Sequence, residues 1–428
     1  MLSMNFVREN PDVIKADLKK RGQLDRIGWV DDVIGKDKLL RELRIQIEEL
    51  RHQRNEASQK VNELKKKGED YSRYVRQIKD IPDQIAKLEA EMGKLSGMVY
   101  YILMRLPNIL HEAVPVGKDE TENVEVRRWG EPRRLDFELL PHGTIAEELD
   151  IADFKRAVKV SGTGFVYIKG DLVLLDLAIM RFAIDFLIKR GFTPIEPPLL
   201  LGKKGYEGVT DLADFEQVMY KIENEDLYLI ATSEHPVMAM HMNEVFEEAE
   251  LPVRYVGVSA CFRREIGSHG VDTRGLFRMH QFNKVEQVVF CKPQDSWKIH
   301  EEILKNSEDM YQALEIPYRV VAICTGDIGT VAARKFDIEA WFPREQAYKE
   351  VGSCSNCTAY QATRLNIKYE TMDKSKEYVH SLNNTGIATS RCMRAILENY
   401  QNKDGSITIP KVLVPFMGGL ERIAAKKH

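Results

Sequence analysis

The chain has 428 residues, 43% hydrophobic and 30% charged, enough for a large catalytic domain plus a second module with a real core, and unlike a disordered polymer. No uninterrupted apolar run reaches the ~18 residues of a membrane-spanning helix, and residues 1–20 lack the apolar stretch of a secretory signal. The formal net charge is -4, from 62 basic and 66 acidic residues, so any nucleic-acid surface must be local. Six cysteines, all in the second half, are too few and too lopsided for a disulfide scaffold, and a reducing cytoplasm is the expected location.

From Leu40 to Leu64 apolar residues recur every three or four positions (Leu40, Leu43, Ile47, Leu50, Ala57, Val61, Leu64), with Arg54 alone breaking the seam. That spacing predicts a coiled-coil stripe. After the polar stretch Lys65–Asp70 the rhythm resumes from Tyr74 through Ile78, Ile81, Ile85, Leu88, Met92, Leu95, Val99, Ile102 and Leu106, and Pro107 ends it. A short tip between two long helices predicts an antiparallel hairpin, whose first arm would project over about 37 Å at 1.5 Å per residue. Pro82 has no amide hydrogen and clashes with the preceding turn, so the second helix is expected to kink or restart there. Between Lys36 and Arg105 stand 16 Lys/Arg and 12 Asp/Glu, so the arm is basic within an acidic chain. Counted alone, these charges read first as the solvated surface of a hairpin, with an arm for an RNA backbone as the lesser alternative.

The segment from Leu110 to Arg134 is rich in Pro, Gly and charge and reads as a linker. The expected organisation is therefore 1–110 for the N-terminal module with its hairpin at about 36–106, 111–134 for the linker, and 135–428 for the catalytic domain. A helical pattern starts at Asp171 and stops at Gly191, and Pro194, Pro197 and Pro198 then force extended chain. Strands are predicted over Leu227–Ile230, Arg254–Arg263, Phe277–Cys291 and Tyr318–Cys324, with a helix over Ser296–Leu314. No glycine-rich βαβ turn is present, so the fold class expected is α+β, an antiparallel sheet flanked by helices.

The stretch Cys261–Glu265, the polar loop 266–275 and Leu276–Glu286 read as strand, loop and strand. Alternation puts Arg278, Phe282 and Glu286 on one face, with Arg263 and Glu265 together where the first strand ends. Such a ribbon suits a nucleoside triphosphate: guanidinium forks grip phosphates, an aromatic ring stacks on a base, and a carboxylate holds an ammonium. A solvated edge hairpin with cross-strand ion pairs fits the spacing equally well. Asn383 and Thr385 read equally as N-caps of a helix over Ile387–Gln401. Cys354-Ser355-Asn356-Cys357 has zinc-like spacing, but no second pair completes a tetrahedral site, and no zinc is expected.

The run Phe262-Arg263-Arg264-Glu265, the loop with Asp272-Thr273-Arg274-Gly275, and Arg278-Met279-His280-Gln281-Phe282 resemble motif 2 of class II aminoacyl-tRNA synthetases, specifically the seryl-tRNA synthetases. Gly191 through Pro198 is similar to the end of motif 1, and Gly386–Arg391 through Ala395–Glu398 to motif 3. Thr232-Ser233-Glu234, Cys324–Asp327 and Glu350–Cys357 are further family signatures. The resemblance spans nearly the whole chain, since that family also carries an N-terminal helical hairpin, and it turns the basic arm toward the tRNA reading. Asn384, Thr389 and Ser390 resemble archaeal or eukaryotic cytosolic members, and Thr363 stands where arginine is usual.

The resemblance implies a homodimeric cytoplasmic enzyme that forms seryl-adenylate from L-serine and ATP with Mg2+, then charges tRNA(Ser) bound through the arm. Members also charge tRNA(Sec) where it exists, which the sequence leaves open. By motif match, Arg263 would hold the α-phosphate and the serine carboxylate, and Arg391 the γ-phosphate, with Glu265 orienting the nucleotide as the third catalytic group. Phe282 would stack on adenine, with Met279, Arg278 and Arg264 beside it. Glu350 and Ser353 would hold Mg2+, with Val351 and Gly352 on the ATP wall. Residues three apart on a flat strand point to opposite faces, so a bulge or strand end is expected near Gly352. Thr232, Ser233, Glu234, Glu286, Asn383 and Thr385 match the serine pocket, with Glu286 taking the ammonium and Thr385 the hydroxyl. Two other functions compete with this one. A ligase loading a carrier protein is disfavoured by the long hairpin, and a noncatalytic RNA binder by the intact set of Arg263, Glu265, Glu286, Glu350 and Arg391.

Overall fold

The computed structural model describes residues 1–133, 136–210, 216–265 and 275–425. The polar loop 266–274 and the segment 211–215, including Asp272, Thr273 and Arg274, lie outside the described residues. Two compact units, Met1–Pro107 and Asn108–His428, make up the chain.

In the first unit, α1 (Ile27–Lys67) runs for 41 residues and stops at Gly68, whose φ of 73° is a left-handed cap open to glycine at little cost. Lys65, Lys66 and Lys67 crowd its last turn, where the helix dipole favours positive charge. The return arm is broken as Pro82 predicts: α2 (Ser72–Ile78) ends, and α3 (Ile81–Arg105) restarts with the proline in its first turn, where no amide hydrogen is required. Ile47 packs against Ile81 and Ile85, flanked by Leu50, Ile78, Leu88 and Met92, so the apolar seam holds the two arms together. Arg54, the break in that seam, is exposed.

The second unit is built on an eight-stranded sheet. In chain order its strands are β1 (Val124–Trp129), β2 (Thr193–Ile195), β3 (Val253–Phe262), β4 (Gln281–Cys291), β5 (Tyr318–Ala322), β6 (Arg334–Phe342), β7 (Ala347–Asn356) and β8 (His380–Ala388), in spatial order β1-β5-β6-β7-β8-β4-β3-β2. Only the β2–β3 pairing is parallel. Helices α4 (Asp171–Ile188), α5 (Ser296–Ala313) and α6 (Thr389–Asn399) supply apolar faces to the main core. Along β4 the odd positions Val285 and Val289 enter that core, and the Gln287 amide reaches Ile303 and Ser307 of α5. The even positions therefore face the other way, and that side carries the site. The observed class is α+β with a predominantly antiparallel sheet, as the sequence predicts.

Three boundaries differ from the sequence reading. The expected linker at 111–134 contains β1, which pairs with β5 and forms the sheet edge. Strand β4 starts at Gln281, not Phe277, because Phe277 is drawn edge-on to Phe342 in the core and the backbone before Gln281 bends to follow it. The last helix begins at Thr389, so Asn383 and Thr385 are strand residues and not N-caps; Ala388 stands at the cap.

Candidate active site

A cavity of about 510 Å³ opens over β4, β7 and β8. Register explains its contents. Thr385 on β8 sits directly across from Glu286 on β4, while Asn383 pairs with Val288 on one side and Ser355 on the other. All four polar side chains line the cavity. Thr232 and Glu234 reach the same end from the start of the short helix Glu234–Ala239. The Glu234 carboxylate accepts from Asn383 Nδ2 at 3.0 Å and Gln361 Nε2 at 2.9 Å. Burial, with the Glu286 charge nearby, pushes the Glu234 carboxyl up to about 7.

Positive charge lines the same cavity. Arg263, just past the end of β3, donates from its backbone N–H to His280 O at 3.0 Å and from Nε to Ala231 O at 3.3 Å. Its guanidinium lies 5.5 Å from the Phe282 ring centre. Glu265 has φ of 46°, a left-handed turn, and its carboxylate stands 3.9 Å from Arg278. Arg391, in the first turn of α6, donates from Nη1 to the Glu350 backbone O at 3.0 Å and lies 3.2 Å from Glu350 Oε1. That guanidinium, aided by Lys335 and Arg263, holds the Glu350 carboxyl well below its ordinary range.

The geometric difficulty with Glu350 and Ser353 is resolved by a β-bulge. Glu350 pairs with Glu339 and Gly352 with Ile338, leaving Val351 as the extra residue. Ser353 then pairs with Asp337, two positions from Glu339, so Glu350 and Ser353 share a face despite being three apart. The bulge expected near Gly352 is thus present.

Among the sequence-predicted residues, Arg263, Glu265, Met279, Phe282, Glu350, Val351, Gly352, Ser353, Arg391, Thr232, Glu234, Glu286, Asn383 and Thr385 line one cavity. Three do not. Arg278 precedes β4 and is exposed, so it does not share the face of Phe282 and Glu286. Arg264 is exposed, its backbone N–H given to Val218 O. Ser233 is fully buried against Gly257, where a Cβ would meet its Oγ at 2.6 Å. Cys354 and Cys357 part company: the first packs in the main core, the second lines the cavity. No group of three or more His, Cys, Asp or Glu placed to hold a metal occurs among the described residues.

The sequence reading missed Lys284 and Lys335, which both line the cavity. For Lys284 the signal was available, since it sits between Phe282 and Glu286 in the same two-residue alternation. Lys335 lay on a strand not predicted at all, and its Nζ stands 3.4 Å from Asp337.

A sheet face with an arginine and a carboxylate after one strand, an aromatic on the next, and a second arginine opening the following helix defines a class II synthetase core. The family model for the class II core domain of the Gly, His, Pro, Ser and Thr enzymes matches residues 217–400, and that for the seryl-tRNA synthetase N-terminal domain matches 1–110. The chain belongs to the seryl-tRNA synthetase family. It is 62% identical to a serine–tRNA ligase of Methanocella arvoryzae over 98% of this chain and all of that one. Among solved structures, seryl-tRNA synthetase from Pyrococcus horikoshii complexed with ATP matches with a TM-score of 0.92 at 47% identity, covering both chains completely. Cytoplasmic serine-tRNA ligase from Naegleria fowleri in complex with AMP matches with a TM-score of 0.87 at 38% identity, covering 100% of this chain and 99% of that one.

Proposed function

We propose that this chain is a serine–tRNA ligase that activates L-serine with ATP and transfers it to the 3′ end of tRNA(Ser). One observation carries the reading: one cavity brings together a carboxylate opposite a hydroxyl, Glu286 and Thr385, with two arginines and an aromatic ring, Arg263, Arg391 and Phe282. That arrangement fits an amino acid placed end to end with a nucleotide.

In the first step a serine carboxylate oxygen attacks the α-phosphorus, forming the acyl–phosphate bond as the bond to pyrophosphate breaks. Two anions must be brought together, so orientation and fixed positive charge supply most of the acceleration. Arg263 touches both Ala231 O, beside Thr232, and the Phe282 ring, and would bridge the carboxylate and the α-phosphate. Phe282 would stack on adenine, Met279 would line the base site, and Glu265 would orient the nucleotide. Arg391 would take the far phosphates. Glu350 and Ser353, an ionised carboxylate and a hydroxyl on one face, fit Mg2+, which supplies neutralisation of phosphate charge when bound with ATP. In the second step the terminal adenosine hydroxyl of the tRNA attacks the acyl carbon and AMP leaves.

Thr385 is buried, and a buried group that must bond a substrate hydroxyl rejects alanine by roughly 10^4 to 10^5, whereas threonine is excluded by shape. The basic arm supports tRNA as the acceptor. A homodimer is supported by the half-exposed Leu174, Leu177 and Ile188 of α4 and by β2 at a sheet edge. No described helix is long and apolar enough to cross a membrane.

Serine-dependent ATP–pyrophosphate exchange, with alanine, threonine and cysteine as controls and transcribed tRNA(Ser) in a parallel charging assay, tests the reading. Exchange with charging is expected. Exchange without charging indicates a carrier-loading ligase, and neither activity in a folded protein indicates a noncatalytic RNA binder.

The pH response follows from Glu234. A serine ammonium held at the neighbouring Glu286 favours the ionised form of Glu234, so protonation of Glu234 and binding of serine oppose each other. The KM for serine is therefore expected to rise as pH falls through about 7, by up to about tenfold per unit below it, with the KM for ATP changing much less. A serine KM that is flat between pH 8 and 6 would show that serine binding does not depend on the charge of Glu234.

A further inference from the structure

Side chains on one face of a strand recur every second residue, roughly 6 to 7 Å apart. On β4 this rule sets three of them in a row: Phe282 toward the arginine end, Glu286 opposite Thr385, and Lys284 halfway between. Its cross-strand neighbours are Ser259 and Ala388, both small, which leave the space above Lys284 to the lysine itself. Lys284 is 5% exposed, yet it lines the cavity. Its Nζ lies 2.7 Å from Glu286 Oε2, a charge contact without aligned hydrogen-bond geometry. Glu286 is itself 1% exposed, so in the free protein the lysine is the nearest compensating charge to a buried carboxylate.

In the serine-activating reading, on which this inference rests, the substrate brings its own ammonium to Glu286 and sets its carboxylate one step along the strand. We propose that Lys284 is a further catalytic cation, which pairs with Glu286 in the free protein and turns to the serine carboxylate and the α-phosphate once the substrate ammonium takes its place. The exchange conserves charge. One buried ion pair becomes two, ammonium with Glu286 and carboxylate with Lys284, and no proton moves. The lysine then adds to Arg263 at the point where negative charge gathers in the attack on phosphorus. A lysine serving only as a structural partner of Glu286 would instead obstruct the ammonium site throughout turnover.

The two roles separate when serine is compared with serinol, which keeps the ammonium and hydroxyl and lacks the carboxylate. In the full-length protein, Lys284→Met is expected to weaken serine binding about tenfold or more, while serinol binds as well as before or more tightly because its competitor for Glu286 is gone. Single-turnover adenylate formation at saturating serine and ATP is expected to fall about 10^2-fold. Lys284→Arg, which keeps the charge, is expected to recover part of that loss. If Lys284→Met does not fold, Lys284→Gln tolerates the same burial and is expected to show the same serine–serinol split. Equal loss of affinity for both ligands, with the single-turnover rate within about threefold of wild type, would show a structural salt bridge and overturn the proposal. Wild-type protein inactive in serine-dependent exchange would overturn the underlying function as well, so the two failures are told apart by the wild-type control.

Discussion

Replacing Arg263 by alanine is expected to lower serine-dependent ATP–pyrophosphate exchange by about 10^3-fold while leaving thermal unfolding close to wild type. The guanidinium lines the cavity 5.5 Å from the Phe282 ring centre, and a fixed charge aimed at a developing anion in a shielded site is worth about 10^2 to 10^3 in rate. In the proposed role, bridging both the carboxylate and the α-phosphate, this residue stands at or beyond the top of that range. The structural cost is small, because among the described residues the side chain gives one long hydrogen bond, 3.3 Å to Ala231 O, and is not part of the apolar core. Exchange within a few-fold of wild type in a folded variant would refute the assignment.

The second large effect is expected from shortening the arm. Arg51 on α1 and Glu89 on α3 meet at 2.7 Å, so the hairpin can be cut at that level and closed with a short Gly-Ser linker. The buried Val30, Val33, Val99, Ile102 and Leu103 nearer its base remain. Lys65, Lys66 and Lys67 leave with the deleted tip, and with them the densest positive charge of the arm. Charging of tRNA(Ser) is expected to fall by about 10^2-fold or more, while serine-dependent exchange stays within about twofold, since every cavity residue lies in the second unit. In the intact protein, tRNA affinity is expected to drop steeply with salt as lysine and arginine release counterions from the phosphates. Full charging by the shortened protein, or a flat salt response, would exclude the arm from tRNA binding.

The elements legible in the sequence are those fixed by local rules. The 3-4 apolar spacing, Gly68 and Pro82 each act within a few residues, and the hairpin with its restart follows them. The end of α4 before Gly191 is of the same kind. The two-residue alternation on β4 places Phe282 and Glu286 correctly. It misplaces Arg278, because the packing of Phe277 against Phe342, a contact across 65 residues of chain, bends the backbone before the strand begins.

What the sequence by itself determined is the identity of the chemical groups and the local shape of the segments that carry them, together with the family those motifs resemble. What only the tertiary structure decided is which groups meet. Thr385 faces Glu286 because two strands nearly a hundred residues apart pair in one register, and Glu350 shares a face with Ser353 because β7 yields one extra residue to β6. Asn383 belongs to a strand and not to a helix cap for the same reason: pairing with β4 and β7 satisfies its backbone, while the Glu234 carboxylate, 149 residues away, takes its side chain. Register is a cooperative outcome of hydrogen bonding and burial over the whole sheet, so no local window of sequence contains it.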